Sequence, residues 1–342
     1  MRLKYVQTVS AMKVLIMAGG YATRLWPITK DNPKALLPVG NKVILDYILE
    51  KVEGLGFEAY ISTNRFFEMH FRPYAERKGL NLIVEDTLHE EEKLGTIGAM
   101  KKAVEELGSD DYLVIAGDNL FSFSLADFLG AYDGRTLIAV YDVGDLELAK
   151  RYGVVVLEGD RVISFQEKPA EPKSTLVSTG VYVFPRRVME KIDEYLSDGN
   201  RDSPGYFIQW LLENGEDIRA YRFSEYWYDI GSADSYLEAL KTLLRESYVE
   251  EIQISPYAKI IPPVVIKKGA KILGRSIIGP YAYIGEECVI ENSDISDSII
   301  FRKTIIRNST IWRSIIDEKC EIRNLELRKS LVGGHAKIQR GE

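Results

Sequence analysis

The sequence predicts two domains of different class, an α/β domain with a mostly parallel sheet flanked by helices and then a parallel β-helix. From Met12 to about Tyr248, apolar strand-like segments alternate with amphipathic helix-like segments, which is typical of a parallel sheet flanked by helices. After residue 250, isoleucines recur first every six and then every sixteen residues, which indicates a β-helix. We therefore predict domains at 12–248 and 252–340.

The elements of the α/β domain follow from periodicity. Short apolar runs predict strands, because the strands of a central parallel sheet are covered on both faces. Amphipathic stretches between them predict helices. Ligands of such sheets bind at the carboxyl ends of the strands. The predicted strands are 14–17, 58–62, 81–85, 112–116 and 136–141, and the predicted helices are 44–53, 66–78, 95–107, 124–132 and 233–246.

The β-helix is predicted from an unbroken register of isoleucines. They lie six residues apart from Ile254 to Ile290, and three sixteen-residue units then superimpose, beginning at residues 290, 306 and 322. Within a unit the apolar residues step by 5, 5 and 6, which predicts a coil with three short sides and excludes a 3.6-residue helical period. Cys288 and Cys320 are two coils apart, roughly 10 Å, which is too far for a disulfide. We expect both to be packed side chains.

Composition limits the classes of function. The chain has 342 residues, of which 46% are hydrophobic and 28% charged, as in ordinary globular proteins. A net charge of −7 argues against nucleic acid as a partner. Because no apolar run reaches the length of a membrane span and the N-terminus lacks the apolar core of a signal peptide, we predict no membrane partner and a cytoplasmic location. Residues 1–11 precede a second methionine, and we expect an upstream start or a flexible arm there.

The first strand runs into a loop suited to phosphates. Gly19 and Gly20 follow the strand and let the backbone present bare N–H groups to an anion. Arg24 adds a planar fork for phosphate oxygens, and Lys34 adds a compact point charge. The spacing fits neither a Walker loop nor a dinucleotide-binding G-x-G-x-x-G motif. The loop therefore predicts a polyphosphate site of another class.

Residues 14–37 resemble the opening motif of the sugar-1-phosphate nucleotidyltransferases, or NDP-sugar pyrophosphorylases, which reads G-G-x-G-T-R-L-x-P-x-T-x-x-x-P-K-x-L. The chain differs once, at Ala22, where the family has glycine. The resemblance implies a Rossmann-like nucleotidyltransferase domain, and the repeats resemble the left-handed hexapeptide-repeat domain that often follows it. It also implies a nucleotide site formed by Ala18, Gly19, Gly20 and Thr23, with Arg24 and Lys34 acting on the leaving pyrophosphate.

A second nucleotide-binding segment lies at 93–99. Its sequence, K-L-G-T-I-G-A, resembles a family loop whose backbone contacts the base, and this implies a role for Gly95. The alternative interpretation is simply the start of the helix at 95–107.

Two aspartates are the predicted metal ligands. Asp118 ends the strand Y-L-V-I-A-G-D; alone it would be a cap or turn residue, but beside a phosphate loop it suits Mg²⁺, which takes one or two carboxylates plus phosphate oxygens. The resemblance also places Asp118 in the nucleotide site. Asp229, in W-Y-D-I-G-S, resembles the family motif W-x-D-[IV]-G-[TS], which implies a second Mg²⁺ ligand. Its alternative is a turn with Gly231 as the bend and Ser232 as a helix N-cap.

The sugar site is predicted from E-K-P at 167–169, a motif of the same family. The resemblance implies that Lys168 binds the phosphate of the sugar phosphate and that Glu167 accepts hydrogen bonds from sugar hydroxyls. It further implies sugar-pocket positions at Gly153, Thr179 and Gly180.

These motifs together predict Mg²⁺-dependent transfer of a nucleotidyl group from an NTP to a sugar 1-phosphate, with NDP-sugar and pyrophosphate as products. The sugar phosphate would attack directly, so positioning and electrostatics would supply most of the acceleration. L-G-T-I-G resembles mannose-1-phosphate guanylyltransferases and A-G-D-N-L-F at 116–121 resembles glucose-1-phosphate thymidylyltransferases, so base and sugar stay open.

Two other functions remain alternatives. One is a non-catalytic relative that binds nucleotide sugars or acts as a scaffold, although the charged residues that such proteins lose are present. The other is additional acetyltransferase activity in the repeats, where His335 is the candidate base. We also predict a homo-oligomer, because Phe301, Trp312 and Leu325 lie beside register positions where some must face outward.

Overall fold

A computed structural model of the protein describes residues 12–198 and 201–340. The predicted N-terminal arm, residues 1–11, lies outside the described residues. Two compact units divide the chain. The first comprises the residues up to Gly20 together with Tyr47–Asp229, and the second comprises Tyr21–Asp46 together with Ile230–Glu342. The predicted phosphate loop therefore groups with the C-terminal repeats, apart from its two glycines.

In the described part of the first unit, nine strands form one sheet in the order β5-β4-β1-β6-β11-β8-β12-β10-β9. The strands before residue 230, in chain order, are β1 (Lys13–Met17), β2 (Pro38–Val39), β3 (Lys42–Val43), β4 (Glu58–Asn64), β5 (Asn81–Glu85), β6 (Tyr112–Ala116), β7 (Asn119–Phe121), β8 (Thr136–Asp142), β9 (Gly153–Glu158), β10 (Arg161–Glu167), β11 (Leu176–Phe184), β12 (Ile218–Phe223) and β13 (Trp227–Asp229).

The sheet is parallel on one side and mixed on the other. Strands β5, β4, β1 and β6 run parallel, as the alternation of strands and helices predicts. Strand β11 is antiparallel to both β6 and β8, and β9 and β10 form an antiparallel hairpin. The five predicted strands are confirmed to within two residues at each end. They put the carboxyl ends of the four parallel strands at one edge of the sheet.

The predicted helices are confirmed within two residues, apart from the C-terminal end of the last one, which stops three residues early. Asn64 caps the helix after β4 by accepting from the Phe67 N–H, and Ser232 and Ser235 form a reciprocal capping box of the kind that stabilises helix starts. The helices are α1 (Ile44–Val52), α2 (Arg65–Lys78), α3 (Gly95–Leu107), α4 (Leu125–Gly130), α5 (Leu146–Ala149), α6 (Arg186–Met189), α7 (Ile192–Asp198), α8 (Pro204–Glu213) and α9 (Ala233–Leu243).

The core of the first unit forms where the sheet meets its helices. Leu15, Val114 and Ile138 come from the strands, and Met100 from α3, and all are at most 1% exposed. Phe207 of α8 joins the same cluster. Burial of such side chains stabilises by about 1.5–3 kcal/mol each, so the strand ends rest on a rigid base.

The second unit contains three stacks of short parallel strands, consistent with the left-handed β-helix that the sequence predicts. Their orders are β14-β17-β20-β23-β26-β29, β15-β18-β21-β24-β27-β30 and β16-β19-β22-β25-β28. The strands are β14 (Tyr248–Val249), β15 (Gln253–Ile254), β16 (Lys259–Ile260), β17 (Val264–Ile266), β18 (Lys271–Leu273), β19 (Ile277–Ile278), β20 (Ala282–Ile284), β21 (Val289–Glu291), β22 (Asp294–Ser296), β23 (Ser298–Ile300), β24 (Ile305–Arg307), β25 (Thr310–Trp312), β26 (Ile315–Ile316), β27 (Glu321–Arg323), β28 (Glu326–Arg328), β29 (Leu331–Val332) and β30 (Lys337–Gln339).

The sixteen-residue period appears directly in the strand register. Ile290 pairs with Ile306, and Ile306 with Ile322, so identical side chains stack in the buried column. The corners between the strands adopt a left-handed backbone, and this too recurs every sixteen residues. The non-glycine residues with positive φ at these corners are Tyr281, Asp297, Arg313 and Lys329, then Glu287, Lys303, Lys319 and His335, and then Asn292, Asn308 and Asn324.

Serine hydroxyls connect successive coils. The Ser293 N–H donates to Ser276 Oγ at 3.2 Å, and Ser293 Oγ accepts from the Ser309 N–H at 3.0 Å. Ser309 Oγ in turn accepts from the Leu325 N–H at 3.1 Å. Ser293 and Ser309 also donate their hydroxyl hydrogens to carbonyls of their own coils. Each coil therefore provides a hydrogen-bond acceptor for the next one.

The two cysteines lie two coils apart, as predicted. Cys288 and Cys320 are buried and free, with Thr304 in the coil between them donating its hydroxyl to Asp317 O. Cys288 Sγ donates to Phe301 O at 3.0 Å, and Cys320 Sγ donates to Gly333 O at 3.1 Å. They are packed side chains, as predicted.

Of the three large apolar residues expected beside the register, one is exposed. Trp312 is 38% exposed, whereas Phe301 and Leu325 are half-buried. Leu325 packs against the isoleucine core of the β-helix.

Candidate active site

The glycine turn after β1 is fixed by the neighbouring strand. The Ala18 N–H donates to Ser62 O at 2.7 Å, and Asn64 Nδ2 donates to Gly19 O at 2.7 Å. A methyl group on Gly19 would lie 3.3 Å from Glu85 Oε1, whereas one on Gly20 would meet nothing within 4 Å. Gly19 is therefore packed, and the turn is open at Gly20, where a ligand has room to approach the backbone.

The basic loop belongs to the second unit. Ala22 has a left-handed backbone, with φ 49° and ψ 42°, a conformation that favours glycine. The Leu25 N–H and the Thr29 hydroxyl both donate to Ala22 O, at 2.9 and 2.8 Å, which holds this conformation. The methyl group of Ala22 thus strains the loop, in agreement with the family preference for glycine.

The predicted basic residues lie in two short turns of this loop. Thr23 and Arg24 lie in the 3-10 turn Thr23–Leu25, and both are exposed. No ion pair joins Arg24 to any described residue, so its guanidinium is available to an anion. Lys34 opens a second 3-10 turn, Lys34–Leu36, and is half-buried.

Gly95 is the first residue of α3, so this segment begins a helix, and the role of Gly95 at the base stays a prediction. Its φ is +74°, and a methyl group there would lie 2.3 Å from Arg201 O, so only glycine fits. The Leu94 N–H donates to Glu85 Oε2 at 3.4 Å. Burial raises the pKa of Glu85 to about 7. Glu85 therefore contacts both this loop and the glycine turn.

The two predicted metal ligands come together through β7 and β13. Asp229 lies directly opposite Asn119 in this antiparallel pair, and Asn119 adjoins Asp118 in sequence. Asn119 Nδ2 donates to Asp118 Oδ1 at 2.7 Å, and Trp227 Nε1 donates to Asn119 Oδ1 at 2.6 Å. The strand pairing thus puts the backbone of Asp118 one residue away from the position opposite Asp229.

Asp118 also lies beside the glycine turn. The Gly117 N–H donates to Met17 O at 2.8 Å, and β1 and β6 are parallel neighbours, so the ends of both strands meet at one edge. No group of three or more metal-ligating side chains occurs among residues 12–198 and 201–340. Two carboxylates fit Mg²⁺, because this ion usually takes its remaining ligands from water and substrate phosphates.

The predicted sugar site centres on a buried glutamate. The Glu167 side chain is 6% exposed, and its Oε1 lies 3.6 Å from Lys168 Nζ. A methyl group on Gly153 would lie 2.9 Å from Glu167 Oε2. Lys168 has a left-handed backbone, φ 47°, and its N–H donates to Tyr152 O at 3.0 Å. The turn therefore aims two adjacent side chains of opposite charge at one region.

Thr179 and Gly180 lie in an irregular part of β11, where its pairing with β8 shifts between Ser178 and Tyr182. Thr179 is 1% exposed, and its hydroxyl donates to Ala139 O at 3.1 Å. Gly180 has φ +76°, and a methyl group there would lie 2.8 Å from Ala116 Cβ. Gly180 thus packs against the strand end that precedes Asp118, whereas the Thr179 hydroxyl is already engaged by the fold.

Sequence reasoning missed several residues of this region. Asn64 and Glu85 are the last residues of β4 and β5, so the rule that ligands collect at strand ends would have singled them out. Ser203 and Gly205 contact Glu167, and the only local signal for them was a serine before proline at a helix start.

Comparisons with known proteins agree with this arrangement. A family model described as nucleotidyl transferase matches residues 13–246, and one described as GMPPB C-terminal domain matches residues 260–341. The chain is 30% identical over 84% of its length to a Sulfolobus acidocaldarius protein named as a mannose-1-phosphate guanyltransferase, 76% of which is covered. It is also 30% identical over 86% of its length to the glucose-1-phosphate thymidylyltransferase of Streptomyces antibioticus, 88% of which is covered.

A solved structure is similar as well. A Bacillus anthracis protein titled as a glucose-1-phosphate thymidylyltransferase, in complex with a sucrose, superposes with a TM-score of 0.57 at 26% identity, over 70% of this chain and 97% of that one. Nucleotidyltransferases of this family generally use a divalent metal and act on an NTP and a sugar 1-phosphate. Within the described residues, no helix has both the length and the apolar character needed to span a bilayer.

Proposed function

The chain belongs to the nucleotidyl transferase family, and from this membership we propose that it transfers a nucleotidyl group from an NTP to a sugar 1-phosphate with Mg²⁺, releasing pyrophosphate. The observation that carries this proposal is the pairing of β7 with β13, in which Asp229 lies opposite Asn119, the residue after Asp118, while the Gly117 N–H before Asp118 donates to Met17 O next to the glycine turn. A phosphate-binding turn and two carboxylates at one sheet edge suit a metal-bound polyphosphate.

The proposed chemistry is a direct displacement. The phosphate oxygen of the sugar phosphate attacks the α-phosphorus of the NTP, and the bond from that phosphorus to the leaving pyrophosphate breaks. Asp118 and Asp229 would hold Mg²⁺, which neutralises phosphate charge when bound. We assign Lys168 to the phosphate of the attacking sugar and Glu167 to its hydroxyls.

The backbone turn and the basic loop complete the assignment. Ala18, Gly19, Gly20 and Thr23 hold the nucleotide, with Gly95 at the base. Arg24 and Lys34 act on the charge that develops on the leaving pyrophosphate, and this role is supported by the Arg24 guanidinium, which is exposed and has no ion pair with a described residue. Gly153 and Gly180 let neighbouring protein groups pack closely against the backbone at the proposed sugar site. The Thr179 hydroxyl is already bound to Ala139 O, which favours a backbone role for that residue.

For the substrates we propose GTP and mannose 1-phosphate. The match of residues 260–341 to the GMPPB C-terminal domain and the relative named as a mannose-1-phosphate guanyltransferase support this pair. A second candidate is dTTP with glucose 1-phosphate, which is supported by the Streptomyces antibioticus relative, the Bacillus anthracis structure and the A-G-D-N-L-F segment.

The test is pyrophosphate release across five NTPs and a panel of sugar 1-phosphates. We expect release with one dominant pair, abolished by EDTA and restored by excess Mg²⁺. Full activity in EDTA would contradict the metal assignment. Absence of release with every pair, in protein that is folded, would favour the non-catalytic alternative.

We further propose domains at 12–248 and 252–340, a cytoplasmic location and a homo-oligomer formed through the repeats. The exposed indole of Trp312 supports the last point, since large apolar groups on a repeating surface often mark a contact. Light scattering on the full chain and on Trp312→Ala tests it. A monomeric full-length protein would contradict an assembly role.

A further inference from the structure

A five-residue segment, Arg201–Gly205, contacts two loops that are far apart in the sequence. We call it the bridging segment. On one side it contacts the base loop, residues 93–97, and on the other the sugar loop, residues 167–168. All three lie in the first compact unit. These contacts could not be predicted from the sequence, because both loops are distant from the segment along the chain, the base loop by about a hundred residues.

The contacts with the base loop are mostly to backbone atoms. The Ile97 N–H donates to Arg201 O at 3.0 Å, and the Thr96 hydroxyl donates to Asp202 O at 3.2 Å. Lys93 Nζ lies 3.5 Å from Asp202 Oδ2. The Arg201 carbonyl occupies the space that a side chain at Gly95 would need. The base loop therefore cannot shift without moving Arg201 and Asp202.

The contacts with the sugar loop centre on the buried carboxylate. The Ser203 hydroxyl donates to Glu167 Oε1 at 2.8 Å, and Ser203 Oγ accepts from the Gly205 N–H at 3.3 Å. A methyl group on Gly205 would lie 1.8 Å from Glu167 Oε2, so glycine is required there. Gln209, one helical turn further along, accepts from the Glu167 N–H at 3.4 Å.

The segment between the two sets of contacts is short and stiff. The Asp202 carbonyl carbon is bonded directly to the Ser203 nitrogen in a planar peptide group, and Pro204 fixes its own φ and restricts the backbone of Ser203. A displacement at the base loop is therefore transmitted to the Ser203 hydroxyl rather than absorbed by rotation of the chain.

We propose that Ser203 is a positioning residue that couples the two substrate sites, so that an NTP at the base loop orients Glu167 and raises the affinity for the sugar 1-phosphate. This inference rests on the proposed function, because it assigns the two loops to the two substrates. By reciprocity, the sugar phosphate then raises the affinity for the NTP by the same factor.

Ser203→Ala tests the coupling directly. The Kd of the sugar 1-phosphate is measured by calorimetry with and without a non-hydrolysable NTP analogue, for the pair that the release assay selects. In the parent protein the analogue should lower this Kd, and in Ser203→Ala the ratio of the two values should fall toward one. We expect kcat/KM for the sugar phosphate to fall about tenfold, as for loss of one hydrogen bond to a charged group.

Two variants control for a merely structural effect. Ser203→Thr keeps a hydroxyl and should recover most of the coupling. Ser124→Ala removes a serine that caps α4 through the Asp127 N–H but contacts neither loop, and it should leave the Kd ratio unchanged. If Ser203→Ala does not fold, Thr96→Val, which removes the donor to Asp202 O, should lower the ratio in its place. An unchanged ratio in a folded Ser203→Ala or Thr96→Val protein overturns the proposal.

Hydrogen exchange tests the bridge without any activity. The Ile97 amide, bonded to Arg201 O, should exchange several-fold faster in Ser203→Ala than in the parent or in Ser124→Ala. Absence of pyrophosphate release with every pair would defeat the proposed function while leaving this comparison intact. Unaltered exchange at Ile97 in Ser203→Ala would instead defeat the bridge alone.

Discussion

The α/β unit and the β-helix use the same unfavourable backbone conformation in different ways. In the described part of the first unit, the non-glycine residues with left-handed φ are Lys168 and Glu225, whereas in the β-helix such residues recur at corners sixteen residues apart from Tyr281 onward. Each costs about 1 kcal/mol or more. Periodic strain belongs to the architecture, because every corner is stacked between neighbours that share it.

Isolated strain needs another cause. Lys168 directly follows the buried Glu167, and its N–H is bound to Tyr152 O, so the local structure dictates its conformation. At Lys168 the left-handed conformation coincides with the predicted sugar site, whereas Glu225, which also lacks periodic counterparts, is not a predicted site residue. The comparison predicts that changes in the first unit alter turnover more than stability, and that changes in the β-helix do the opposite.

The largest expected effect is on the two proposed metal ligands. Asp118→Asn or Asp229→Asn should lower kcat about 100-fold or more, because the charge that holds the cation is lost while the side-chain shape remains. The matched control is Asp294→Asn on an exposed strand of the β-helix, which should leave kcat unchanged. Pyrophosphate release measures kcat of these variants, and thermal unfolding measures their stability. Full turnover in a variant at 118 or 229 would contradict the expectation that changes in the first unit alter turnover more than stability.

Next is the isoleucine column. Ile306 is fully buried, and Ile306→Ala should lower the free energy of unfolding by roughly 2–5 kcal/mol, through lost burial and a cavity. Ile254→Ala, at a residue 47% exposed, should cost less than about 1 kcal/mol. Urea titration gives these values. Turnover of the Ile306→Ala protein, assayed where it is fully folded, should match the parent, and a large loss of kcat would mean that the repeats help to form the site.

A smaller effect depends on pH. Since burial raises the pKa of Glu85 from 4.5 to about 7, the folded protein binds a proton there more tightly than the unfolded chain. The associated stability is full below about pH 4.5 and is lost as pH rises through 7, at most about 3 kcal/mol. Glu85→Gln should remove this part of the dependence of the free energy of unfolding on pH. Its stability relative to the parent should therefore be higher at pH 8 than at pH 4.5. If the free energies of unfolding of the two proteins change in parallel from pH 4.5 to 8, the raised pKa of Glu85 is contradicted.

The smallest effect sharpens the comparison most. Lys168 (φ 47°) and Lys303 (φ 58°) are both exposed lysines, and replacing either by glycine should relieve strain worth up to about 1 kcal/mol. Lys168→Gly should nevertheless raise KM for the sugar phosphate, because its ammonium is lost. Lys303→Gly should change no kinetic constant. Equal kinetics in the two variants would refute the distinction between periodic and isolated strain.

Local patterns predicted the elements well. The apolar runs predicted β1, β4, β5, β6 and β8, and Ser232 was recognised as a cap. These features depend on neighbours within a few residues, where periodicity and capping chemistry act. The β-helix was equally readable, because each coil repeats the same local pattern sixteen residues later.

Long-range contacts were not readable from the sequence. The antiparallel insertion of β11 between β6 and β8 depends on packing across the sheet. The link from Arg201 to Gly95 joins segments about a hundred residues apart, and no spacing rule connects them. Glu85 was part of a predicted strand, but it lies near Gly19 only because β5 pairs with β4 and β4 pairs with β1.

The serine hydrogen bonds between successive coils let each folded coil act as a template for the one that follows. Ser293 Oγ is already fixed to Glu291 O when the Ser309 N–H arrives, so a chain emerging from the ribosome can add coils in order without waiting for its end. Insertion or deletion of sixteen residues, which is one whole coil, leaves the serine hydrogen bonds between the remaining coils unchanged. The length of this domain is therefore a variable that gene duplication can alter in whole steps.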